Sequence, residues 1–165
     1  MTVAFSTSRI LEPAESGWPE VLSLYEYWRR RRAGRFAPAR RDIVLMDLPP
    51  AQIPYLTVVD RTGDTFLYRY WGSGHARDYT DRTVDEIAPA EIGGALQEEY
   101  LEVTRRRAPL VFEKLFAGNV QTSLTLRMPL SNDGAEVDGV ISYSARREMA
   151  SALRDANGAG GGTQL

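Results

Sequence analysis

His75 is the only histidine in the chain, and cysteine is absent. A lone imidazole could act as a general base, with Asp78 or Asp85 to orient it. It could also ligate a heme iron. The plainer reading is a loop histidine beside Gly72-Ser73-Gly74, and one imidazole is weak evidence for a site. The missing thiols exclude disulfides, thiolate zinc, cysteine nucleophiles and any flavin or chromophore attached through sulfur. Gly72-Ser73-Gly74 follows a strand, as a phosphate-binding turn would. A dinucleotide loop needs a third glycine where Arg77 stands, so these glycines are read as turning the chain. Asp78, Asp81, Asp85 and Glu86 lack the spacing of a calcium loop, and no metal is assigned. Glu98, Glu99 and Glu102 are read as a wet helix face.

Trp28 to Arg41 holds seven arginines and no acid. That run could neutralise phosphates on nucleic acid or anionic lipid, with Trp28 and Phe36 stacking beside it. The overall charge of -2 argues instead for a solvated helix end paired with acidic neighbours, or a dock for an acidic partner. Lys114 is the only lysine, a bias read as genome composition.

These residues need elements to hold them. Residues 1–17 read as a flexible lead-in, with Pro13 and Gly17 as breakers. Pro19 and Glu20 suit a helix start, and Val21, Leu24, Tyr25 and Trp28 recur at helical spacing, predicting an amphipathic helix over 19–33. Residues 55–60 and 65–71 read as a hairpin. On its second strand Phe66, Tyr68 and Tyr70 share one face, and Leu67, Arg69 and Trp71 the other. A second helix follows Pro89, with Ile92, Leu96, Tyr100 and Val103 on one side. Three strands come next, over 110–117, 122–130 and 137–145. The middle strand alternates, with Leu124, Leu126, Met128 and Leu130 opposed to Ser123, Thr125 and Arg127. The prediction is an α+β domain over 18–150 and a flexible glycine-rich tail over 151–165. Its architecture is a five-stranded antiparallel sheet with helices on one face.

A chain of 165 residues needs no metal or disulfide staple to fold. No cationic start followed by an apolar run is visible, and no apolar stretch is long enough to cross a bilayer. The expected location is cytoplasmic.

Several pieces stand in a suggestive order: Tyr27-Trp28 with Gly34; Pro38 to Ile43; Ile53-Pro54; Phe66 to Gly72; Thr83 to Ile87; Pro129-Leu130-Ser131 before Asp133-Gly134. Together they resemble a PAS domain, in particular the small single-domain PAS-like proteins of alphaproteobacteria, over residues 20–147. Asp81 stands where the family usually has glycine, and Gly74-His75 where a bulkier residue is more usual. The resemblance implies a sensory or regulatory fold that holds a small molecule between sheet and central helices, or binds partners through sheet and first helix. Heme-binding relatives take their ligand from the longer helix, which here has no histidine, so heme is not expected and the cofactor stays unknown.

The resulting expectation is a signal-transduction module rather than an enzyme. It would act by binding a small ligand, or by association as a homodimer or with a signalling partner. Tyr68, Tyr70, Met128 and Tyr143 are the candidate pocket-lining residues. Val21, Leu24, Tyr25 and Trp28 are the candidate partner surface, because an apolar helix stripe needs cover. The alternatives are a small enzyme built on His75, and a nucleic-acid or membrane-surface binder built on residues 29–41.

Overall fold

In a computed structural model of the chain, residues 5–116 and 121–148 are described. The proposed tail, residues 151–165, lies outside them. Six strands form one antiparallel sheet: β1 (Phe5–Leu11), β2 (Leu56–Thr62), β3 (Thr65–Trp71), β4 (Leu110–Phe116), β5 (Gln121–Leu130) and β6 (Gly139–Glu148). Their spatial order is β1-β4-β5-β6-β2-β3. Two long helices, α1 (Pro19–Arg31) and α2 (Ala90–Arg106), join short single-turn helices between the strands. Among the described residues, no helix is long and apolar enough to cross a membrane.

Two expectations about the sheet are corrected. It has six strands, not five, because part of the supposed lead-in is ordered. Residues Phe5–Leu11 pair antiparallel with β4. An unpaired β4 edge would leave a row of backbone donors and acceptors exposed, and β1 covers them. Its Arg9 meets Glu113 of β4 at 3.2 Å. The helices also do not share one face. α1 packs on the side that carries Leu124, Leu126, Met128 and Leu130. Tyr100 and Val103 of α2 pack on the opposite side, with Val59, Phe66, Tyr68, Phe112 and Val140.

α1 forms because Pro19 opens it with a preset φ, Glu20 complements its positive end, and its apolar stripe meets the sheet. It stops where Ala33 and Gly34 take left-handed φ values of 49° and 81°. Val21, Leu24 and Trp28 are buried in the core of this chain, and Tyr25 packs against that core. The Trp28 indole donates to the Pro129 carbonyl at 2.8 Å, which pins the helix to β5. The four residues named as a partner surface are therefore an internal packing surface. The stripe did need cover, and the sheet supplies it.

A β-bulge between Val58 and Val59 changes the face of one aromatic. Val58 pairs with Tyr70 and Val59 with Tyr68, so Arg69 is skipped. Tyr70 consequently turns to the α1 side and Trp71 joins Tyr68 on the α2 side.

Candidate functional site

A cavity of about 320 Å³ lies between the α2 side of the sheet, α2 itself and the chain over 75–88. That volume is at the lower end for small-ligand sites. Its two walls differ in chemistry. The sheet contributes Thr57, Lys114, Ser123, Thr125, Arg127 and Ser144. The opposite wall is mainly apolar, with Ile87, Ile92 and Leu96. Ala76 and Arg77 line the cavity and are exposed, which places its mouth on this loop.

Sheet and helix are tied by three buried charges. Glu99 of α2 is 3% exposed, Lys114 of β4 is 5% and Arg127 of β5 is 3%. The Lys114 ammonium stands 3.0 Å from one Glu99 oxygen, and the Arg127 guanidinium 2.7 Å from the other. Arg127 also donates to the Ser142 hydroxyl at 2.9 Å and lies over the Tyr100 ring, 4.4 Å from its centre. Tyr100 in turn donates to the Tyr68 hydroxyl at 3.0 Å.

The titration behaviour follows from this packing. Burial works to raise the Glu99 carboxyl, but Arg127 and Lys114 outweigh it and hold the group below the usual carboxylate range. Burial disfavours the charged guanidinium of Arg127, and the surrounding Tyr100, Glu99 and Tyr68 reverse the effect. Burial, helped by Tyr100, pushes the Tyr68 phenol well above its ordinary value. Arg127 and Glu99 are thus both charged at neutral pH, and the Lys114 nitrogen stands beside the same carboxylate.

One end of the cavity is aromatic. The Trp71 ring lies 4.7 Å from Tyr68, 5.1 Å from His75 and 5.2 Å from Tyr79. The Trp71 indole N–H is shielded from solvent and has no hydrogen-bond acceptor among the described residues. The turn after β3 is fixed by close approach. A side chain at Gly72 would come within 2.1 Å of the Pro54 carbonyl oxygen. At Gly74 it would meet the Tyr55 ring at 2.6 Å. Backbone contact, not phosphate chemistry, accounts for those glycines.

Of the four candidate lining residues, Tyr68 lines the cavity. Tyr70, Met128 and Tyr143 belong to the α1 side and do not. Strand parity places Met128 and Tyr143 there, and the bulge places Tyr70. Glu99, expected on a wet helix face, is buried at the centre of the charge cluster. Arg127, Ser123 and Thr125 were missed because β5 reads as a half-solvated strand, and Lys114 because a lone lysine on β4 reads as a surface residue. The available signal was the single lysine of the chain at an inward strand position, opposite a glutamate on α2.

His75 lines the cavity and its ring meets the Trp71 ring. Asp78 accepts from the Thr80 amide at 2.8 Å and from its hydroxyl, and Asp85 is exposed. Glu86 accepts from the Thr83 amide at 2.8 Å. Among the described residues, no group of three histidines or carboxylates could hold a metal ion. The arginine run is largely paired. Arg29 meets Glu26, Arg31 meets Asp47, Arg35 meets Asp42, and Arg40 meets Asp60.

No family model matches the chain, and no curated protein sequence matches it.

Proposed function

We propose that this chain is a PAS-like sensory or regulatory module that takes up a small molecule in the cavity between sheet and α2. The observation that carries the reading is the cavity itself, walled by an antiparallel sheet on one side and by α2 and short helical turns on the other. Charges and hydroxyls on one wall and apolar side chains on the other offer a small molecule both kinds of contact. The antiparallel sheet and the helical cover of its α2 side support the PAS-like part of the proposal.

Glu99 gives such a module a way to report occupancy. It sits on α2 and holds two strand cations that line or border the cavity. A ligand that draws on Lys114 or Arg127 changes their hold on Glu99, and with it the fit of α2 to the sheet.

Native mass spectrometry and absorbance of the purified chain test the reading. The expected result is a mass increment or spectrum from a retained small molecule, or uptake from an added set of metabolites. Ala76→Trp, at the exposed mouth, should abolish that uptake without unfolding the chain. Uptake unchanged by Ala76→Trp, or none by either protein, would reject the cavity as the site.

A further inference from the structure

We infer that the cavity selects a carboxylate with a compact apolar body; this rests on the small-molecule reading above. Among the described residues, three arginine or lysine side chains line the cavity, Arg77, Lys114 and Arg127, and no aspartate or glutamate does. Behind the wall Glu99 meets Lys114 and Arg127 together, at 3.0 and 2.7 Å. Cationic side chains on a shielded wall favour an incoming counter-charge.

Hydroxyls extend the same preference. Thr57, Ser123, Thr125 and Ser144 stand along the cationic wall and can donate to carboxylate oxygens. Trp71 adds an independent pointer. Its shielded indole N–H has no protein acceptor among the described residues, and an acceptor-bearing ligand would supply one. An ammonium or other cation would bring only donors to a wall that already has them in excess.

The opposite wall sets the rest of the molecule. Ile87, Ile92 and Leu96 offer no polar side-chain group, and Trp71 and Tyr79 close one end with rings. The ligand is therefore two-sided, its carboxylate toward β4 and β5 and its apolar body toward α2. A cavity of about 320 Å³ takes a body of roughly ten to fifteen non-hydrogen atoms. Inorganic phosphate would leave the apolar wall uncovered.

Calorimetric titration of the full chain with four probes tests this. The probes are hydrocinnamate, its neutral amide hydrocinnamide, phenethylammonium and inorganic phosphate. The expected order has hydrocinnamate at least about tenfold tighter than the amide, with no measurable binding of the other two. Lys114→Met should remove that advantage, weakening hydrocinnamate about tenfold and leaving the amide unchanged, while Lys114→Arg restores it. Circular dichroism of each variant checks that the fold survives. Amide or ammonium binding as tight as the carboxylate would overturn the anion preference and leave the small-molecule reading standing. Phosphate binding as tight as hydrocinnamate would overturn the apolar body. Equal loss of both hydrocinnamate and amide in Lys114→Met would overturn the role of its charge. No binding by any organic probe would overturn both this inference and the reading beneath it.

Discussion

The two faces of the sheet are built to opposite rules. On the α1 face Leu124, Leu126, Met128, Leu130 and Ile141 meet Val21, Leu24 and Trp28 in a hydrocarbon layer. On the α2 face Ser123, Thr125 and Arg127 from the same strand β5 look into a cavity beside buried Glu99 and Lys114. Side chains one residue apart thus serve different ends. The first face gains its stability from burial and close packing. The second keeps charges and hydroxyls around a cavity, and that contrast supports a binding role.

The largest expected effect lies on the dry face. Trp28→Ala removes a buried ring and its hydrogen bond to Pro129, and should cost about 3–5 kcal/mol of unfolding free energy. Urea denaturation measures it. If the faces are independent, ligand affinity of the folded fraction stays unchanged.

Next comes Glu99→Gln. It removes the carboxylate that Lys114 and Arg127 share, and should cost about 3 kcal/mol or more by the same denaturation. This loss would show that the wet face depends on its buried carboxylate as the dry face depends on its packing.

Acid provides a gentler version of that experiment. The Glu99 carboxyl is held below its ordinary value of 4.5 in the fold. A carboxyl lowered on folding contributes stability that is present above its unfolded value and lost as pH falls through its folded value. Unfolding free energy should therefore decline below about pH 4.5, and Glu99→Gln should flatten that decline. An equal decline in the variant would assign the acid sensitivity to other carboxylates.

The smallest effect is at Asp81, in the loop beside the cavity. Its φ of 62° is left-handed, and its amide donates to the Tyr68 carbonyl at 2.8 Å. Asp81→Gly relieves the backbone and should raise stability by up to about 1 kcal/mol, seen as a modest rise in Tm.

Much of the fold is legible in the sequence through periodicity. The stripe Val21, Leu24, Trp28 and the alternation Leu124 to Leu130 both report faces that are buried. Periodicity says that a stripe is covered, not by what. Hence α1 could be read as a partner surface when the covering partner is its own sheet. The α2 face was illegible for the complementary reason: Ser123, Thr125 and Arg127 look solvated in one dimension, and only α2 folding over them makes them interior. Tyr70 was misplaced because a bulge shifts parity by one residue and leaves no local mark. β1 was missed because Phe5–Leu11 has polar residues at its centre and is a strand only when an edge is there to receive it.

The most direct test of the division between faces is the unfolding free energy of Lys114→Met. Glu99 keeps Arg127 at 2.7 Å in the variant, so one buried ion pair remains. The predicted result is stability within about 1 kcal/mol of the unaltered chain, or above it. A loss of about 3 kcal/mol or more would contradict the account, because the Lys114–Glu99 contact would then serve the fold rather than binding.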